Sequence, residues 1–146
     1  MRIENKKIRQ NYEVVESFEA GIVLTGAETK SIKAGQVNLR GARVIIRKKE
    51  VWLLGMQVAR YKHDGRVEKL DLARARKLLM KRREIEQIES KARLAGLTLL
   101  PISVYNKGSF VKVEVGLVRG KKKYEKREEL KKRKEKRDLA RRLKSK

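Results

Sequence analysis

The sequence predicts a mainly β protein: a small antiparallel Greek-key β-barrel of about six strands, with about three α-helices inserted and a basic C-terminal tail. Three observations carry this. Apolar residues fall at every second position in Val111-Lys112-Val113-Glu114-Val115-Gly116-Leu117 and its neighbours, the signature of half-buried strands. Helical patterns interrupt these strand-like runs, which suits a small barrel with insertions. Finally, Arg119 to Lys146 holds sixteen Lys or Arg against five Asp or Glu, +11 of a formal +23 over 146 residues. Such a segment has too little to bury and too much like charge to collapse by itself.

In chain order, residues 1–11 read as a polar basic arm. Tyr12 to Leu24, rich in Val, Phe and Ile, reads as a strand interrupted near Ala20-Gly21. Thr25 at an N-cap with Glu28 three residues on forms a capping box, so a short helix runs from about Gly26 to Ala34 and stops at Gly35. Two strands follow near Ala42–Arg47 and Val51–Met56, joined by the charged turn Lys48-Lys49-Glu50. Tyr61–Leu70 is a polar loop. Asp71 can cap a helix carrying Arg74, Arg76, Lys77, Leu78 and Leu79. Ile85, Ile88, Ala92 and Ala95 then make one apolar stripe of a helix that Gly96 ends. Leu97–Tyr105 and Phe110–Val118 alternate around Asn106-Lys107-Gly108-Ser109, a hairpin. Pro101 within it calls for an edge or a bulge. In the tail, Glu128 with Lys132, Glu129 with Arg133, and Asp138 with Arg142 are spaced for helix, each worth a few tenths of a kcal/mol. The tail is thus expected to be disordered or helical, a helix completed by a polyanionic surface.

Composition narrows function. Nucleic acid is the leading partner, since each phosphate neutralised releases counterions; the tail lacks the aromatic and leucine-rich face of a membrane-binding helix. There is no cysteine, and His63 is the lone histidine, so a metal site or Cys–His nucleophile has little raw material. Glu84 and Glu86 point different ways on a helix, and no phosphate-loop spacing occurs. No enzyme and no cofactor are expected. Met1–Tyr12 has no apolar core of a signal peptide, and a cytoplasmic protein is expected. Tyr124, in Lys-Lys-Lys-Tyr-Glu-Lys-Arg, is the aromatic plainly set amid exposed charge, which suits one stacked base better than a tracking groove. Structured RNA, read by shape and phosphates, is the better ligand for the body.

Four ordered motifs then carry a resemblance over nearly the whole chain. They are Phe18–Gly35 (FEAGIVLTGAETKSIKAG), Arg74–Ile85 (RARKLLMKRREI), the strand pair Leu99–Val118, and Gly120–Arg127 (GKKKYEKR). Together they resemble the bacterial small protein B family, the SsrA-binding proteins. The resemblance implies an oligonucleotide-binding (OB) type barrel over 1–120 that grips the tRNA-like part of tmRNA, and a tail over 121–146 that engages the ribosome. It implies support of tmRNA alanylation, delivery with elongation factor Tu to ribosomes stalled on truncated messages, and a tail that folds in the decoding centre and empty mRNA channel. Alanyl-tRNA synthetase and elongation factor Tu would be partners through tmRNA. Family positions for tmRNA binding match Glu28, Leu79 and Lys112; Lys30, Arg74, Arg76 and Lys77 are expected beside them. The tail motif matches Tyr124, Glu125, Lys126 and Arg127, after Lys121, Lys122 and Lys123. The chain departs from the family pattern at Leu72 (commonly Pro), Glu125 (commonly Asp) and Thr29 (commonly Val). Glu28 also serves as a plain capping residue, Leu79 suits core packing, and Lys112 a solvated strand face. The alternatives are a ribosomal or rRNA-binding structural protein with a basic extension, and an RNA-processing enzyme using Glu28 or His63.

Overall fold

Strand alternation of the kind in Val111–Leu117 demands a surface to bury against, and the chain supplies it by curling one sheet on itself. In the computed structural model, which describes residues 1–60, 73–120 and 123–144 (9, 123–129 and 142–144 by backbone), seven strands form one antiparallel sheet. Its elements are β1 (Arg2–Glu4), β2 (Tyr12–Ile22), β4 (Arg43–Arg47), β5 (Glu50–Leu54), β7 (Arg76–Leu79), β8 (Thr98–Lys107) and β9 (Phe110–Gly120). The order across the sheet is β1-β8-β9-β2-β7-β5-β4, and β4 at one edge comes round against β8 near the other. β3 (Val37–Asn38) and β6 (Gln57–Val58) pair separately. The helices are α1 (Ile8–Asn11), α2 (Gly26–Lys33), α3 (Arg82–Ala95) and α4 (Lys123–Lys144).

Inward-facing Ala20, Val44, Val51, Leu53, Leu78, Val104, Val111, Val113, Val115 and Leu117 fill the barrel. Ile32 of α2 and Ile85 and Ile88 of α3 complete the same core. Of the α3 stripe, Ile85 and Ile88 are buried and Ala92 packs against them, whereas Ala95, at the end of the helix, is exposed; Gly96 caps the helix with a left-handed φ of 63°. A second cluster, Ile8, Ile102 and Val118, lies under α1. Gly116 belongs to this close packing: a Cβ there would sit 2.4 Å from Cδ1 of Ile102.

Several expectations are corrected. Arg76–Leu79 is a strand and not part of a helix. Arg, Lys and Leu favour helix, yet β7 is paired on both sides, by β2 and β5. Its buried Arg76 and Leu78 alternate with Lys77 and Leu79 on the other face. Asp71, its expected cap, lies outside the described residues, as do Tyr61–Leu70 with His63, and Leu72. Residues 1–11 are no loose arm: β1 pairs with β8, and α1 packs on its small cluster. β2 runs unbroken through Ala20-Gly21, its irregularity falling instead between Val14 and Glu16. Pro101 does mark a bulge, the register shifting between Pro101 and Ser103.

In the β4–β5 turn, Lys48 and Lys49 both hold positive φ, 51° and 63°, as two-residue turns of the primed type demand. Lysine in that conformation costs roughly 1–2 kcal/mol per residue. The tail is helical: α4 spans 22 residues, roughly 33 Å at 1.5 Å per residue. It follows β9 almost directly and meets the body at α1.

Candidate nucleic-acid interface

Residues directly opposite on antiparallel strands share a face, so the register alone builds a row. Across β7, β2, β9, β8 and β1, Leu79 faces Gly21, Gly21 faces Lys112, Lys112 faces Tyr105, and Tyr105 faces Arg2. This row lies outside the barrel, since Leu78 and Val113 beside it point in. Leu79 is 53% exposed, as an outward strand position allows and a core residue would not be. Gly21 leaves a bare strip between Leu79 and Lys112; a Cβ there would stand 3.3 Å from the Leu79 Cβ. Phe110, 69% exposed on the same face, has the Lys112 Nζ 5.9 Å from its ring centroid, and the Arg2 guanidinium sits 4.9 Å from the Tyr105 ring.

The acids of this face are engaged within it. Glu114 accepts from Arg2 Nη2 at 2.8 Å and from Ser103 Oγ at 2.9 Å. Glu19 accepts from the Tyr105 hydroxyl and pairs with Lys107 at 3.4 Å. Burial, then the hydrogen bond to Glu19, pushes the Tyr105 phenol up to about 12, and that bond is the main cause holding the Glu19 carboxyl below its usual range. Tyr105 is therefore a neutral donor at physiological pH. Among the described residues no carboxylate lies within ion-pair distance of Lys112, so its charge faces outward.

Glu28 organises a second cluster. The expected capping box is present: Glu28 N–H donates to Thr25 Oγ1 at 3.2 Å, and Thr25 N–H donates to Glu28 Oε1 at 2.9 Å. The same carboxylate accepts from Arg74 Nη2 at 2.5 Å and from Arg76 Nε at 2.6 Å. Burial pushes the Glu28 carboxyl up, but the bonds from Arg74, Thr25 and Arg76, with the Arg76 charge, outweigh it and hold the group below its ordinary range. Arg76, wholly buried, also donates to the Met56 carbonyl at 2.7 Å. Expected in the tmRNA-binding set, Arg76 has no exposed surface to offer and acts by fastening β7. Arg74 is partly exposed. Lys77, two residues before Leu79 on its face, pairs with Glu50 at 3.7 Å. Lys30 is exposed in the last turn of α2.

Of the expected set, Glu28, Arg74, Arg76, Lys77, Leu79 and Lys112 are linked through β7, whose start is tied to Glu28 and whose end carries Leu79 to Gly21 and Lys112. Gly21, Tyr105 and Arg2 share the Lys112 face through cross-strand register, which sequence does not show, whereas Phe110 shares it by alternation along β9 itself. Of the tail motif, Lys121 and Lys122 lie outside the described residues, and Lys123, Tyr124, Glu125, Lys126 and Arg127 occupy the opening of α4. Further along, residues 130–141 are exposed except for the half-buried Asp138. The pairs Glu128–Lys132, Glu129–Arg133 and Asp138–Arg142 each include a side chain outside the described ones.

A curled antiparallel barrel with an outward cationic and aromatic face, trailing a cationic helix, defines an RNA-binding protein of the OB type. The comparisons agree and are specific. The chain belongs to the SmpB family, whose model, described as SmpB protein, matches residues 2–145. It is 48% identical over 141 residues to the SsrA-binding protein of Roseiflexus castenholzii, covering 97% of this chain and 89% of that one. The SsrA-binding protein of Chloroflexus aggregans is 46% identical over the same shares. A chain in a solved structure described as "tmRNA-SmpB: a journey to the center of the bacterial ribosome" superposes with a TM-score of 0.68 at 38% identity, covering 84% of this chain and 85% of that one.

Proposed function

We propose that this protein is a non-enzymatic, cytoplasmic rescue factor with two RNA surfaces. The outer barrel face around Leu79, Gly21 and Lys112 grips the tRNA-like part of tmRNA and so supports its alanylation. The tail beyond Gly120 engages the ribosome, to which the protein escorts tmRNA together with elongation factor Tu. A ribosome lacking a codon offers no pairing to hold an incoming tRNA. A vacant mRNA channel lined by rRNA phosphates gives a cationic helix a place to dock, and a message occupying that channel excludes it, so the tail tests for absent message by needing its space. Tyr124 stacks on a decoding-centre base, and Lys126 and Arg127 contact phosphates.

The observation that carries this reading is the division of charge. Twelve Lys or Arg against five acids lie on α4, while Lys112 and its neighbours belong to the sheet. The test is to remove Lys123–Lys146 and measure tmRNA affinity and peptide tagging separately. Near-normal affinity with tagging abolished is expected; loss of both together would refute two surfaces. Stoichiometric retention on intact ribosomes at high salt would instead point to a structural ribosomal protein.

A further inference from the structure

On the far side of β7 from the Lys112 row, the outer face of β4 and β5 holds a groove of about 390 Å³, within the usual range of small-ligand sites. Its apolar wall is Ile45, Trp52, Leu54 and Ala75; Arg47, Lys48 and Glu50 line it at the turn. Ile45 and Trp52 are cross-strand partners, and Trp52 faces Lys77 on β7. Glu50 is engaged by Lys77, whereas among the described residues neither Lys48 nor Lys49 has an ion-pair partner. A turn with two positive φ values favours Asn-Gly, yet here it carries two lysines. Local conformation is therefore strained at a turn whose Lys48 lines the groove with the half-buried indole and whose Lys49 is its neighbour in the chain, and strain of this kind gathers at functional sites.

We propose that the β4–β5 hairpin is a further RNA-contact site, taking an unpaired nucleotide. Phosphates meet Arg47, Lys48 and Lys49, and the base lies against Trp52. Charge complementarity selects a polyanion, and the indole selects one that carries planar rings; unpaired RNA has both, and aromatic stacking tolerates any base. The site rests on the protein binding RNA and not on which face holds tmRNA.

Trp52 is the only tryptophan in the chain, so its emission reports on the groove directly. Titrating the full-length protein with short oligouridylate and oligoadenylate should give saturable quenching. Lys48→Asn/Lys49→Gly supplies the residues the turn prefers, so its Tm should rise while RNA affinity falls several-fold. Its salt slope on unpaired RNA should fall by about 1.4, two phosphates at roughly 0.7 each. Trp52→Leu, followed with labelled RNA, should weaken binding at least about fivefold. Unchanged Trp52 emission, or a turn variant with parental affinity and slope, overturns this site; normal tmRNA binding in that experiment would leave the tmRNA reading standing. Quenching by oligouridylate without any tmRNA binding would do the reverse.

Discussion

Replacing Glu28 with Ala removes the acceptor that joins α2 to β7. The side chain is only 13% exposed, and Arg76, its partner at 2.6 Å, is not exposed at all. Deleting one member of a buried pair strands the other charge, at a cost of about 3–5 kcal/mol, and losing the reciprocal capping-box bond from Thr25 N–H adds about 1 kcal/mol. A domain of this size has about 5–15 kcal/mol in total, so the variant should be folded but fragile, with Tm lower by roughly 10–20 °C. Urea and thermal denaturation followed by circular dichroism measure this. Adding Arg76→Met should restore part of the loss, because the uncompensated charge is removed with it. The sign with pH follows from the lowered Glu28 value. The carboxylate's contribution is present above its unfolded pKa and is lost as pH falls through the lower folded one. The stability gap between parent and Glu28→Ala should therefore narrow on acidification through the carboxylate range. A Tm within roughly 2 °C of the parent, with tmRNA affinity lost, would refute the reasoning and make Glu28 a direct contact.

Lys112→Ala should leave Tm unchanged, weaken tmRNA binding and reduce the slope of log affinity against log salt by about 0.9; identical affinity across salt would remove Lys112 from the interface. Gly116→Ala drives a Cβ into Ile102 and should cost about 1–3 kcal/mol by overpacking, read from urea melts. Ile102→Val, which removes the clashing Cδ1, should recover part of it. In a spectrophotometric titration of the four tyrosines, Tyr105 should ionise near pH 12, and Glu19→Gln should bring that step down. Because this pKa is raised on folding, the stabilisation linked to the neutral phenol is complete below the unfolded value and fades as pH climbs toward 12.

Elements with a full period were legible in the sequence. β9 alternates over the seven residues Val111–Leu117, α3 has a stripe and a glycine stop, and α2 declares itself by its capping box. β1, β3 and β6, of two or three residues, are too short to carry any period; their partners fix them. β7 was misread because its residues favour helix locally, and strands on either side override that preference. The same limit applies at the interface. Alternation showed Lys112 facing outward, but not that Gly21 lies between it and Leu79. Thr25 and Glu28 announced a cap; the tie from that carboxylate to Arg76, 48 residues away, is written in tertiary structure alone.

α4 continues from β9, which is hydrogen-bonded to β8 along one side and to β2 along the other. A load applied to the tail along the strand axis is therefore shared by two ladders in shear, so bonds must fail together and not one by one as at a peeling edge. A pull on the tail is thus taken up in the interior of the sheet, between strands paired on both sides. Had it sprung from β4, at the rim of the sheet, the same tug would have unzipped the barrel from its margin.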